Sequence, residues 1–380
     1  MGKTTRSYVR VSAVLLSAAA LSGLISSCHR HDNGHTVVSK GYALAIGLNQ
    51  VDPAHYAGWN GQLYGCEPDA NDMAAIASSQ GFTAEKLLTA DAKRQDVLDR
   101  LSRLAETLKS GDVLVVSYSG HGGQVPDLNG DEDDGLDETW CLYDGELLDD
   151  ELYGAWMKFQ PGVHILVFSD SCHSGTVLKM KKADMENPPA PRAQELEKSW
   201  RALRVPAKLD RARILTSPEM RDAAAKRPYL RARIERLAPA TTAPKVDPKP
   251  LPSASEAEEV LVSRLMPPEV SAMTYTQNRQ FYDKMGRAAP KEDPKAVQAS
   301  LILISGCADD QTSADIGYNG LFTWMVKQVW NDGAFTGSHP KFHADIRDRV
   351  IKENSEQKPE ISLEGARDQP FVDQRPYKVP

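Results

Sequence analysis

Apolar, β-branched runs alternate with amphipathic stretches through the first part of the chain. Gly41 to Leu48 reads as a strand, and Glu67 to Ser79 as a helix whose Ala70, Met73, Ala74 and Ala77 recur at helical spacing. Phe82 to Leu88 predicts a short second strand. Asp91 to Lys109 predicts a second helix with Val97, Leu98, Leu101, Leu104 and Leu108 on one face. The runs Asp112 to Tyr118 and Val163 to Ser169 are continuous enough in apolar residues to be central parallel strands covered on both faces. Strand and helix alternate as far as Phe168, which predicts an α/β fold: a mostly parallel central sheet, right-handed crossovers, helices on both faces. The pattern breaks at Lys179 and resumes at Gln298 to Cys307, another buried strand, with a helix from about Gly320 to Trp330.

Composition adds an insert and a leader to this picture. With 380 residues, 41% of them hydrophobic, the chain can bury one full α/β core and still carry a tail or insert. Between Lys179 and Pro250 stand 18 Lys/Arg against 9 Asp/Glu and 10 prolines, whereas the whole chain is −7. A basic, proline-broken insert therefore hangs from an acidic body. Aromatic interleaving is missing from the insert, so nucleic acid is not an expected partner. At the N-terminus, Lys3, Arg6 and Arg10 precede an uncharged Ala/Leu/Ser-rich run from Val11 to Ser27, the layout of a secretory signal. It ends in Ile25-Ser26-Ser27-Cys28, which resembles the bacterial lipobox and nominates Cys28 for lipidation. The expectation is an exported cell-envelope lipoprotein held at a membrane by its lipid. Cys66, Cys141, Cys172 and Cys307 lack the spacing of a disulfide scaffold or a CxxC metal site, which leaves pairing of any two of them, or a free thiol, open.

The candidate chemistry sits at two strand ends. Ser119-Gly120-His121-Gly122-Gly123 and Asp170-Ser171-Cys172-His173-Ser174-Gly175 each follow an apolar run, which brings a histidine and a cysteine to one sheet edge. In an open α/β sheet that edge is where ligands bind. A cysteine nucleophile needs a base within reach, and His121 could supply it.

These two motifs, with Ile304-Ser305-Gly306-Cys307-Ala308-Asp309-Asp310-Gln311-Thr312-Ser313-Ala314 after a third strand, resemble the metacaspases and their bacterial caspase-like relatives. The resemblance implies a caspase-like fold and a cysteine endopeptidase with Cys172 as nucleophile and His121 as general acid/base. The backbone N–H groups of Gly122 and Cys172 are the candidate oxyanion hole. Relatives that cut after Arg or Lys build an acidic pocket, and the matching positions are Cys66, Asp69, Ser119 and Asp170. The expected substrate is a polypeptide with Arg or Lys before the scissile bond.

The acidic loop Asp127 to Glu138 partly fits an EF-hand, but Glu132 stands where the turn needs Gly. In calcium-dependent relatives another aspartate set holds the ion. Asp137, Asp149 and Asp150 match three of those positions, and Lys179 stands at the fourth. Its ammonium counts against Ca2+, so no cofactor is expected as a requirement. The basic insert falls where the family places processing sites, with Arg204, Lys208, Arg211, Arg213 and Arg236 open to self-cleavage, whereas Arg227 precedes a proline. The expected layout is a leader (1–28), a linker (29–39), a large segment with the dyad (40–178), the insert (179–297), a small segment (298–335) and a C-terminal extension (336–380). A monomer is expected. The alternative is a catalytically silent, caspase-like peptide- or cation-binding lipoprotein of the envelope.

Overall fold

A computed structural model describes residues 39–132, 135–172, 262–293, 295–308 and 311–380. The leader, Cys28, His173, Lys179 and the five proposed processing residues lie outside the described residues. So do Asp133 and Asp134 of the acidic loop.

Six strands form the main sheet: β1 (Gly41–Gly47), β2 (Thr83–Leu88), β3 (Val113–Ser119), β7 (His164–Asp170), β9 (Ser300–Ser305) and β11 (Glu360–Gly365). Their order is β11-β9-β7-β3-β1-β2, parallel throughout except for the antiparallel edge pair β9 and β11. All residues of β3 and β7 are buried, as their mainly apolar composition requires. Val113, Val115, Leu166 and Phe168 share one core with α1 (Cys66–Ser79), α6 (Leu321–Trp330) and α7 (His339–Glu353). The intervening Leu114, Val116, Ile165 and Val167 share another with α2 (Arg94–Thr107) and α3 (Asp149–Trp156). Alternate residues thus reach opposite helical layers, and a polar side chain on either face would have no solvent to turn to. The fold is the expected α/β sandwich with a mostly parallel sheet.

Three stretches depart from the sequence expectation. Between β3 and β7 the chain builds a small antiparallel sheet, β4 (Gly122–Pro126), β5 (Leu136–Leu142) and β6 (Gly145–Leu148). Trp140, Leu142 and Leu147 join the core shared with α2 and α3, while Val125, Leu136 and Leu148 belong to a third, smaller one. The acidic loop therefore joins two strands and is no EF-hand, which needs flanking helices. Second, residues 262–293, assigned to the insert, fold as β8 (Val262–Ser263), α4 (Pro268–Gln277) and α5 (Arg279–Ala288). Ala272, Tyr275 and Tyr282 of these helices cover the small sheet, so the end of the insert is part of the body. Third, the C-terminal stretch is no appendage. It supplies α7, the edge strand β11 and α8 (Gln369–Asp373), and Phe342, Ile346, Val350 and Phe371 lie in the core. β11 escaped the hydrophobic pattern because an edge strand keeps its side chains in solvent and is held by backbone bonds. Cys66, Cys141, Cys172 and Cys307 are buried, and among the described residues no disulfide joins any two of them. Among the described residues no helix is long and apolar enough to cross a membrane.

Candidate active site

The parallel register of β3 and β7 sets Ser119 directly beside Asp170 at their carboxyl ends. His121 and Cys172 follow two residues beyond each. His121 is 4% exposed and its Nε2 lies 3.0 Å from the Gly61 carbonyl. A carbonyl only accepts, so Nε2 carries the proton and Nδ1, which has no hydrogen-bond partner, is the free base. Gly61 lies at φ +55, and a side chain there would crowd the Trp59 and His121 rings at 2.9 and 3.1 Å. Burial pushes the imidazole down to about 3, the Arg264 charge adds to this, and the Gly61 carbonyl opposes it. The ring is neutral across the physiological range.

Cys172 is 1% exposed, and its sulfur accepts the Ser313 N–H at 2.9 Å. No hydrogen bond joins it to His121. A stretch of chain runs through the site instead. β8 pairs antiparallel with β10 (Ala314–Asp315), matching Val262 to Asp315 and Ser263 to Ala314. Arg264 N–H donates to the Ser313 carbonyl at 2.9 Å, and the Arg264 carbonyl accepts from Gly122 N–H at 2.9 Å. Met266 N–H then donates to the Gly122 carbonyl at 2.8 Å. Leu265 packs on Cys172, and the Arg264 and Leu265 carbonyls lie close enough to His121 to bear on its proton affinity. Gly122 is required where it stands, because a Cβ would fall 1.6 Å from the Cys172 carbonyl oxygen.

The Arg264 side chain is fully buried and enters the cluster of predicted pocket residues. Nη2 donates to Asp69 Oδ2 at 2.7 Å and lies 3.6 Å from Asp315 Oδ2. Nη1 donates to Ser119 Oγ at 2.8 Å and to the Asp170 carbonyl at 2.9 Å, and lies 3.0 Å from Asp170 Oδ2. Asp69 also accepts from Ser119 Oγ, Asn319 Nδ2 and Gly320 N–H. Burial raises its carboxyl to about 7 against the pull of Arg264, yet every partner is a donor, which is the arrangement of an ionised carboxylate. Asp170 accepts from Ser313 Oγ and from the Thr323 N–H and hydroxyl at the start of α6. Cys66 is buried beside the same cluster, where the Arg264 charge bears on its thiol. Its sulfur lies 4.0 Å from Asp315 Oδ2, and burial pushes the thiol well above its usual range.

The second acidic group lies on the small sheet. Asp137 on β5 is 1% exposed, and neither of its carboxylate oxygens has a hydrogen-bond partner. Asp149 and Asp150 open α3 nearby. Carboxylate oxygens of Glu132, Glu138 and Asp149 lie within 4.8 Å of one another. Burial, followed by neighbouring carboxylates, raises Asp137 to about 8 and Asp150 to about 7, and Asp149 well above its usual range. Asp127 serves the turn instead, accepting from Asn129, Gly130 and Glu132 N–H groups.

Sequence reasoning missed Gly61, Arg264, Ser313 and Asp315. Only Ser313 falls within a quoted motif, and Arg264 sits 143 residues from His121 with no local signal.

A family model described as a caspase domain matches residues 40–369. Metacaspase-1 of Emericella nidulans is 38% identical over 153 residues, covering 36% of this chain and 36% of that protein. Metacaspase-1A of Neurospora crassa is 36% identical over 153 residues, covering 36% of this chain and 32% of its own. The match to these curated relatives thus takes in about a third of their length. A solved protein from Geobacter sulfurreducens is 39% identical, covers 90% of this chain and 99% of its own, and superposes with a TM-score of 0.65.

Proposed function

The chain belongs to the caspase-domain family, and from that premise we propose that it is a cysteine endopeptidase cutting after Arg or Lys. One observation carries the proposal: a fully buried guanidinium held by Asp69, Ser119 and Asp170, with its carbonyl on Gly122 N–H beside Cys172. Arg264 stands in for the side chain of a substrate. The fork of two nitrogens, each with its own carboxylate, favours Arg over Lys, whose single ammonium cannot span both.

In this reading His121 Nδ1 takes the thiol proton while Gly61 holds the ring by its other nitrogen. The Cys172 sulfur attacks the carbonyl carbon, and Gly122 N–H receives the oxygen as it gains charge. Gly122 and the Cys172 N–H remain the proposed oxyanion hole. The imidazolium returns the proton to the leaving amine. This chemistry needs no cofactor. The Asp137 cluster fits a hard divalent cation such as Ca2+, because a buried carboxylate with two unpartnered oxygens lacks only a positive partner. Asp137, Asp149 and Asp150 would hold the ion, neutralising charge under the small sheet. A monomer is the proposed state. Export and lipidation of Cys28 are proposed from the leader sequence.

The deciding experiment assays the full chain and Cys172→Ala on short peptides with Arg, Lys or Asp before the scissile bond, with calcium and with chelator. Hydrolysis of Arg and Lys peptides, lost in Cys172→Ala, is expected. No such hydrolysis under any condition favours the silent binding module. Hydrolysis that survives Cys172→Ala overturns the mechanism.

A further inference from the structure

We propose that the cavity enclosed by α3, β5 and the strands β7, β9 and β11 binds an organic cation, with its apolar body inside and its ammonium group among the carboxylates of the rim. The site lies apart from the cleft, and nothing in it depends on the peptidase reading.

Side-chain alternation sets this cavity on the far face of the sheet. Phe168 and Asp170 of β7 turn toward α1 and α6, whereas Val167 and Ser169 turn the other way and floor the cavity. The parallel register carries the floor on to Leu303, beside Val167, and to Leu301 on the same face of β9. The antiparallel pair then sets Glu364 of β11 opposite Leu301, at the sheet edge. α3 supplies the facing wall. Its Asp149, Leu152, Tyr153 and Trp156 recur at the spacing of one helix face, and Trp140 of β5 closes the side. With only eight residues, α3 leaves the floor partly open, and Leu303 is half-buried.

The space measures about 310 Å3, and its walls are aliphatic and aromatic with a few placed polar groups, the make-up of a small-molecule site. Where packing is the only demand, protein interiors close over voids of this size. Carboxylates ring the opening: half-buried Glu138 and Asp149 on one side, exposed Glu292 and Glu364 on the other. Among the described residues no lysine, arginine or histidine pairs with Asp149, Glu292 or Glu364. Lys291 stands next in the chain but donates to the Gly130 carbonyl at 3.5 Å. Burial, then the charges of Glu364 and Asp131, hold the Glu292 carboxyl above its usual range. The rim is also fixed in place. Asp293 N–H donates to the Tyr153 hydroxyl at 2.9 Å, that hydroxyl donates to the Asp293 carbonyl, and Glu292 N–H donates to Asp131 at 2.8 Å. Uncompensated negative charge beside two tryptophans and a tyrosine selects for a cation twice, by direct attraction and by the ring faces. A bare metal ion takes only oxygen ligands and would leave the apolar walls unused.

The test titrates the full chain carrying Cys172→Ala, which keeps it whole, by calorimetry in chelator, because Asp149 is shared with the calcium reading. The probes are phenethylammonium, its neutral counterpart phenethyl alcohol, and ethylammonium, which has the charge without the ring. Phenethylammonium should bind saturably with a dissociation constant of about 1 mM or tighter. The alcohol and ethylammonium should each bind at least about tenfold more weakly, for want of the charge and of the ring. Glu292→Gln combined with Glu364→Gln, both exposed and outside the catalytic and calcium groups, should weaken phenethylammonium about fivefold and leave the alcohol unchanged. Leu303→Trp fills the cavity and should abolish binding of both ring-bearing probes. Absence of saturable binding of phenethylammonium up to about 20 mM would overturn the site. Equal affinity for the ammonium and the alcohol would overturn the selection for charge, and undiminished binding in Leu303→Trp would overturn the assignment to this cavity. Should Leu303→Trp fail to fold, the glutamine pair decides alone, and unchanged ammonium affinity there overturns the assignment.

Discussion

The cleft and the small sheet both bury carboxylates, and they treat them in opposite ways. In the cleft, Asp69, Asp170 and Asp315 surround one guanidinium and accept from hydroxyl, amide and backbone donors. On the small sheet, Asp137 is as deeply buried, has no donor on either oxygen, and has other carboxylates for neighbours. Burial alone does not set the state of an acid. The first group is complete because the chain supplies its own cation from a distant segment. Among the described residues nothing donates to the Asp137 oxygens, and a metal ion is the kind of partner that would neutralise them.

The comparison can be broken most severely at its catalytic end. Cys172→Ala should lower hydrolysis of Arg peptides by at least about 10³-fold, measured as kcat/KM, with folding retained because the side chain is small. Next, the two acid groups should respond to neutralisation with opposite signs. Asp69→Asn, made in the Cys172→Ala background so that the chain stays whole, removes the partner of a buried arginine. It should cost about 3–5 kcal/mol by denaturant unfolding. Asp137→Asn, tested with chelator, should instead stabilise the chain by about 1 kcal/mol, since it replaces a buried carboxylate that has no partner. A loss of stability in Asp137→Asn under chelator would show that this carboxylate has a partner after all.

Calcium at about a hundredfold its dissociation constant should stabilise the chain by about 2.7 kcal/mol, seen as a raised Tm, and Asp137→Asn should abolish the rise. An unchanged Tm at saturating millimolar calcium would remove the cation from this account. A pH slope bears on the buried base of the cleft. Folding lowers His121 to about 3, while the unfolded chain protonates near 6.5. Below pH 6.5 the unfolded chain therefore binds a proton that the folded chain refuses, and stability falls as pH drops toward 3, by about 1.4 kcal/mol per unit. In the Cys172→Ala background, His121→Asn should lose that part of the slope and match its parent above pH 6.5. Parallel curves below that pH would mean that the ring is protonated in the fold.

Much of the fold was legible from local pattern. β3 and β7 carry the consecutive apolar runs Val113–Val116 and Ile165–Phe168 because both faces are covered, and the α1 and α2 stripes recur at helical spacing because one side meets the sheet. The strand-end motifs carrying His121 and Cys172 were legible for the same reason. β4, β5 and β6 were not, since strands whose side chains are shared between two cores lack a clean alternation. The edge strand β11 was hidden by its exposed side chains.

By itself the sequence determined the α/β order, the two strand-end motifs and the basic insert. Each is a property of residues near one another along the chain, whereas the four pocket positions rested on the family resemblance. Only the tertiary structure decided that Gly61 meets His121, that Asp315 joins Asp69 and Asp170, and that the buried Arg264 guanidinium is their shared partner. A buried charge must find partners wherever the fold brings them, and for Arg264 they come from α1, β3, β7 and β10. No periodicity or spacing records a meeting of elements that far apart.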